Sequence, residues 1–312
     1  MNIRLVAVVC SVVCASLCVA PGAFAAHFLM SEHDLVYDAG SGEVNRVTMT
    51  NGPLTTDVVI EDTGAGSITD LSGKCTVTGN VATCHLAAVR DVYIDLGNKN
   101  DTYTAASCSN CYRYSSRFSM IVIGGKGNDA LRGSKGPDTM IGGAGNDLMD
   151  GKAGDDYFIE MDAADGSDTF IGGPGGMDFV SYYPRSRPVI ANLDGRRNDG
   201  QRSERDKIGR DIEGIEGGSG ADRLTGNSKS NGLFGGAGAD VLNGAGGADD
   251  LWGGNGSDTL IGGSGLDSLY GEDGDDTLRS RDASQDTVNG GAGSDSADRD
   301  ARDQIRSIER FI

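Results

Sequence analysis

A carboxylate occupies the sixth residue of every nine over a long stretch of this chain. From Gly217 the sequence divides without gaps into GGSGADRLT, GNSKSNGLF, GGAGADVLN, GAGGADDLW, GGNGSDTLI, GGSGLDSLY and GEDGDDTLR. The sixth place holds Asp222, Asp240, Asp249, Asp258, Asp267 and Asp276, with Asn231 as the one substitute. Acids at a fixed spacing can hold a hard cation, or as a pair they can do acid and base work on a glycosidic bond. The residues between them decide which.

An earlier array, 124–159, reads GGKGNDALR, GSKGPDTMI, GGAGNDLMD and GKAGDDYFI, with Asp129, Asp138, Asp147 and Asp156 in the acid place. Looser copies follow. ADGSDTFI carries Asp168, GGPGGMDFV carries Asp178 one residue late, and Asp286 and Asp295 extend the second array after a one-residue slip.

The eighth place is apolar throughout: Leu224, Leu233, Leu242, Leu251, Leu260, Leu269 and Leu278 in the second array, and Leu131, Met140, Met149 and Phe158 in the first. A helix turns about 100° per residue, so a nine-residue period would throw successive leucines onto opposite faces. That excludes a helix. Six glycine-rich residues can instead form a tight turn, and x-Leu-x a short strand with one side chain pointing inward. Two units make a flattened coil of 18 residues, and stacked coils bury the leucines between two sheets. The fold class expected is all-β: a parallel β-roll, or β-solenoid, of glycine-rich nonapeptides.

In such a roll, acids 18 residues apart stack about 4.8 Å from one another. Two carboxylates at that distance repel by about 1 kcal/mol in water and about 3 kcal/mol at an effective dielectric of 20. The pairs Asp222 with Asp240, Asp240 with Asp258, Asp249 with Asp267 and Asp258 with Asp276 together approach the whole net stability of a domain. A divalent cation between coils reverses the sign. Calcium takes six to eight oxygens and suits Asp carboxylates beside carbonyls that glycine leaves open. Magnesium prefers a smaller octahedron with its waters kept, and softer metals want the His and Cys that the repeats lack. A merely solvated linker would not keep the leucine register.

These units resemble the GGxGxDxUx nonapeptide, with U a large apolar residue, of the RTX or hemolysin-type calcium-binding repeat. The resemblance covers about half the chain. It implies a parallel β-roll with Ca2+ in its turns, some six to ten ions, and the fourteen aspartates named above as ligands.

Composition bounds the rest. The 312 residues include 50 glycines and one tryptophan at a net charge of -19, poor material for a large packed core. The charge disfavours nucleic acid as a partner. His27, His33 and His85 form no HExxH zinc site, no GxSxG elbow occurs, and the glycine turns lack a P-loop lysine. The chain is therefore expected not to be an enzyme.

Residues 1–25 read as a secretory signal peptide: Arg4, an apolar run from Leu5 to Ala20, then Ala23-Phe24-Ala25 as a cleavage signal. Pro21-Gly22 breaks the run near the lower limit for a bilayer span, and no later segment is apolar for long enough. Removing Arg4 takes the charge to -20. Export leaves Cys75, Cys84, Cys108 and Cys111, an even number that points to disulfides, with 75 to 84 across a hairpin and 108 with 111; zinc at the single CxxC is the alternative.

The remaining segments flank the arrays. Residues 26–120 alternate in a strand-like way and read as a β-rich N-terminal cap, ending in a degenerate turn from Leu96-Gly97 to Asp101. The first array takes 121–180, an insert 181–216, the second array 217–298 and a C-terminal cap 299–312. Within the insert, Val189 to Leu193 reads as a strand. DKIGRDIEGIE at its exit resembles the terminus DQIRSIERFI, so both are expected to close one end of a roll; a partner-binding loop is the other reading. The whole reads as an exported calcium-binding protein that folds on binding the ion and serves in adhesion, matrix or surface assembly. Its partners would be calcium and cell-surface or matrix components, and its location the medium, the surface or the periplasm. The alternative is a secreted enzyme or toxin-like protein with its active part in 26–120 or the insert.

Overall fold

A computed structural model describes residues 34–38, 44–51, 57–63, 75–79, 81–85, 91–105, 119–161, 166–183 and 185–312. The expected signal peptide and Cys108 and Cys111 lie outside these. The described residues form strands and turns without a helix.

Each x-U-x triplet is a short strand whose middle residue points inward. Val241–Asn243 and Thr259–Ile261 are typical, with the central leucine buried and both neighbours half-buried. The strands alternate between two sheets, as one inward side chain per nine residues requires.

Sheet one holds twelve parallel strands: Asp34–Asp38, Asp91–Asp95, Ser119–Lys126, Asp138–Ala144, Tyr157–Ile159, Phe179–Ser181, Gly214–Glu216, Gly232–Ala237, Asp250–Asn255, Ser268–Asp273, Thr287–Ala292 and Gln304–Arg306. Its register aligns Ile94, Val122, Met140, Phe158, Val180, Ile215, Leu233, Leu251, Leu269, Val288 and Ile305 in one inward column. In sheet two, Leu224, Leu242, Leu260, Leu278 and Ala297 form a matching column, and Tyr103, Leu131, Met149, Phe170 and Ile208 another. These columns meet in one continuous apolar core, nearly all of it fully buried. On the outside of sheet one, Phe234, Trp252 and Tyr270 stack at ring separations of 4.5 and 5.7 Å.

The N-terminal strands belong to the same stack. Asp34–Asp38 pairs in parallel with Asp91–Asp95, and Arg46–Asn51 with Thr102–Ala105. Antiparallel strands Asp57–Asp62, Val81–His85 and Cys75–Thr78 cover the outer edge of Arg46–Asn51, which would otherwise be left open to pairing. The hairpin register sets Cys75 opposite Cys84.

The insert departs from expectation. DKIGRDIEGIE does not close an end; it lies in the middle and joins the two arrays into one roll. Gly214–Glu216 pairs with Phe179–Ser181 on one side and Gly232–Ala237 on the other. In sheet two the link is an antiparallel meander of Val189–Asn192, Arg197–Gln201 and Asp206–Ile208. Its first strand pairs in parallel with Arg223–Thr225 and its last with Thr169–Ile171. Ile208, Ile212 and Ile215 are fully buried, so the apolar residues of this segment fill the roll. The terminal copy of the pattern supplies the last rungs, Gln304–Arg306 and Arg310–Phe311.

Candidate metal centres in the stacked turns

Each turn places its acid at the start of a strand or immediately before it, so parallel register stacks the acids as it stacks the leucines. In this arrangement the main-chain N–H of one acid donates to the carboxylate of the acid one coil further along. One column runs Asn45, Asp101, Asp129, Asp147, Asp168 and Asp206. A second runs Asp138, Asp156, Asp178 and Glu213. A third runs Asp222, Asp240, Asp258, Asp276, Asp295 and Glu309. A fourth runs Asn231, Asp249, Asp267, Asp286 and Asp303. All fourteen sequence-predicted acids stand in these columns, including the displaced Asp178, Asp286 and Asp295, and each is at most 3% exposed.

The columns also contain acids that the nonapeptide pattern missed: Asp101, Asp206, Glu213, Asp303 and Glu309. Asp206 and Glu213 lie in the aperiodic insert. Glu213 and Glu309 take the last place of their columns, where a longer side chain still reaches the N–H. Only Asp101 carried a signal, the Leu96-Gly97 turn before it.

The turns take two forms, told apart by their second residue. At Asp138 and Asp222, which begin columns, the second-place N–H folds back onto the acid: Ser134 donates to Asp138 Oδ2 and Gly218 to Asp222 Oδ2, both at 2.7 Å. Asn231 is closed in the same way by the N–H of Asn227. In most of the succeeding turns the second residue is left-handed, as at Gly236 with φ 100° and Gly254 with φ 106°. Oδ2 is then left without a donor at Asp129, Asp156, Asp178, Asp240, Asp249, Asp258, Asp267, Asp276, Asp286 and Asp295.

These oxygens lie among main-chain carbonyls. A Cβ on Gly235 would stand 2.6 Å from Asp240 Oδ2 and 2.4 Å from the carbonyl oxygen of Gly253. One on Gly253 would meet Asp258 Oδ2 at 2.5 Å and Gly271 O at 2.7 Å. The first glycine of the unit is thus required by the close approach of carboxylate and carbonyl, a cradle of oxygens on the inside of the turn.

Burial governs the electrostatics. Removal from water is the largest influence on every column acid that shifts, and it favours the neutral form. Asp129, Asp178, Asp240 and Asp249 are pushed up to about 7, Asp156 to about 8, and Asp276 and Asp286 to about 6. At Asp240 the hydrogen bond from Asp222 opposes the shift and the charges of Asp222 and Asp258 add to it. Among the described residues no three His, Cys, Asp or Glu side chains gather at one point. Each turn therefore offers one carboxylate among neutral carbonyls, a donor set for a hard oxygen-seeking ion. A buried carboxylate oxygen with no donor is a place where such an ion fits.

The profile of the RTX calcium-binding nonapeptide repeat matches four copies, at residues 123–158, 216–251, 252–284 and 282–297. The matched segments are RTX calcium-binding repeats. No curated protein matches the chain. The RTX segments lie within the columns and stop short of Asp101, of Asp168 and Asp178, and of Asp206 and Glu213 in the insert, so the stacked architecture extends beyond the motif that names it.

At the junction the RTX repeats give way to a different device. Arg185 is fully buried and pairs with Glu160 and Glu204, each at 2.6 Å, with its guanidinium 5.3 Å from the centre of the Tyr182 ring. Its carbonyl accepts the N–H of Ser219 in the first turn of the second array. Here a side chain supplies the buried positive charge.

Proposed function

We propose that the protein is an exported, non-enzymatic calcium-binding module in which Ca2+ holds successive turns of the roll together. It would serve a structural or adhesive role at a cell surface or in a matrix. The observation that carries this reading is the donorless Oδ2 of the open turns, buried beside main-chain carbonyls. Burying those carboxylates as anions without a counter-charge is costly, and a calcium ion supplies the charge and the missing ligation together. The column acids and the carbonyls of the glycine-rich turns would hold the ions. Asp138 and Asp222, already closed by N–H donors, would act as column ends. Ligand assembly and folding are then one event.

Export is supported by the leader-like residues 1–25 and by the register opposing Cys75 to Cys84, where a disulfide suits an oxidising compartment. No helix of the described residues is long and apolar enough to cross a membrane.

The test is calcium titration of the chelated mature chain by calorimetry, with circular dichroism in parallel. Roughly six to ten ions should bind as the β signal grows, the count expected of oxygen-rich turns of this kind. A count near zero, or a β signal unchanged by full calcium removal, overturns the reading.

A further inference from the structure

We infer that the outer face of the central meander is a binding surface for a sulfated polysaccharide, seated in the cleft beside Arg197. The choice of anion rests on the reading of the roll as a calcium protein; the surface itself does not.

The meander sorts its charges by side. Asp199, Glu204 and Asp206 are buried, whereas Arg196, Arg197 and Arg210 are exposed and Lys207 is half-buried. Alternation along a strand accounts for part of this: Asp206 and Ile208 point inward, so Lys207 between them points out. Four cations gather at one end. The register sets Arg197 opposite Lys207. Arg210 lies over Gly195 and its Nε–H donates to Asp194 O at 2.8 Å. Arg196 has a loose ion pair with Asp194 at 3.8 Å, and among the described residues no acid lies within such reach of Arg197 or Lys207. In a chain of net charge -19 this patch is the exception, and it draws anions.

Arg197 also lines an open cleft of about 440 Å³ with Asn146, Asp147, Leu148, Ser167 and Thr169. Its Nη2 donates to Thr169 Oγ1 at 3.0 Å, which holds the guanidinium at the cleft. Asp147 brings no charge to it, being 3% exposed with Oδ1 accepting the N–H of Asp129 inside the turn. What remains is one guanidinium among hydroxyl and amide groups beside the apolar Leu148. A chain of hydroxyl-rich rings bearing anions is matched by that set, with a fork of donors for the anion and neutral polar partners for the hydroxyls. No aromatic ring lines the cleft, and the Phe234–Trp252 stack lies on the other sheet, so the bases of a single-stranded nucleic acid find no platform. Carboxylate polymers bind calcium themselves. In the calcium that the roll requires, a sulfate ester keeps its charge for arginine.

Dextran sulfate is the probe. The mature chain in saturating calcium should bind it, and Arg197→Gln combined with Lys207→Gln should weaken binding by about tenfold or more. Arg306→Gln combined with Arg310→Gln removes the same charge from the exposed terminal rungs and should change the affinity by less than about twofold. Equal losses in the two variants, or no binding by the wild type, overturn the surface. Polygalacturonate or single-stranded DNA bound as tightly as dextran sulfate overturns the partner. If the meander variant does not fold, amine acylation of the wild type decides: the polymer should shield Lys207 and leave Lys229 reactive, and unchanged reactivity of Lys207 overturns the surface. Circular dichroism of the same samples with chelator reads the calcium question separately; should the β signal survive chelation, the binding series repeated without calcium still tests the surface.

Discussion

The main-chain N–H of Asp222 donates to Oδ1 of Asp240 at 2.7 Å, while Oδ2 of Asp240 meets no donor and Oδ2 of Asp222 is closed by Gly218. Two acids in identical motif positions are thus chemically unlike. Asp240→Asn should lower the number of bound calcium ions and raise the calcium concentration for half-folding severalfold, because an amide nitrogen would face the cradle. Asp222→Asn should leave the ion count unchanged and cost about 1–2 kcal/mol with or without calcium, through the lost acceptor for Gly218. Calorimetry on both variants separates these outcomes; equal losses of ions would erase the distinction between open and closed turns.

The first glycine of the unit is fixed by space and the third is not. Gly235→Ala would drive a methyl to within 2.4 Å of Gly253 O and 2.6 Å of Asp240 Oδ2, against atoms that cannot move aside. Gly246→Ala would meet the Ser264 hydroxyl at 3.0 Å, which can rotate away, and the Ser264 carbonyl oxygen at an ordinary 3.6 Å. Urea unfolding in saturating calcium should give a loss of about 1–3 kcal/mol for the first and under about 1 kcal/mol for the second.

Leucines inside and outside the period should differ equally sharply. Leu251 is fully buried in the sheet-one column, whereas Leu266, one residue before its acid, is 64% exposed. Leu251→Ala should cost about 2–5 kcal/mol, since a two-sheet core this thin has few neighbours to close the cavity. Leu266→Ala should lie within about 0.5 kcal/mol of wild type. Urea midpoints measured side by side check the pair.

The inward place and the acid place were legible because period and register are the same fact in a parallel stack: once Leu242 lies over Leu224, Asp240 must lie over Asp222. That logic fails wherever the period fails. The link through Gly214–Glu216 could not be read because Ile215 packs beside Val180, 35 positions earlier across irregular sequence. The two turn forms were also hidden. They depend on whether the second residue is left-handed, and Gly218 and Gly236 are the same amino acid with different backbones. Arg185 read as one charge among many in a polar segment, since its partners lie 25 residues before it and 19 after.

That buried arginine gives the junction a counter-charge of its own, so on the proposed reading the junction should not need calcium. Arg185→Met would strand Glu160 and Glu204 in the interior, and losing one side of a buried ion pair costs about 3–5 kcal/mol. The loss should persist in saturating calcium. Adding Glu160→Gln and Glu204→Gln should recover part of it by removing the uncompensated charges. A loss that vanishes when calcium is raised would mean that the junction takes the metal after all. Urea unfolding at low and high calcium reads both outcomes.

Proton and calcium should compete for the columns, and the sign follows from the direction of the shifts. In the folded chain without metal, Asp129, Asp178, Asp240 and Asp249 titrate near 7 and Asp156 near 8, against an ordinary value of 3.8. The folded state therefore holds protons that the unfolded chain has released, and stability without calcium falls as pH rises from about 4 to about 8. Below that window the acids are neutral in both states and their stacking costs little. Above it these five acids are charged, and a cation is what can offset their burial. Chelated protein should keep its β signal near pH 5 and lose it near pH 8, while calcium should restore it at pH 8 with an affinity that strengthens across the same window. Circular dichroism against pH, with and without chelator, measures both curves; a chelated chain more stable at pH 8 than at pH 5 would reverse the sign and remove desolvation as the force that makes the ion necessary.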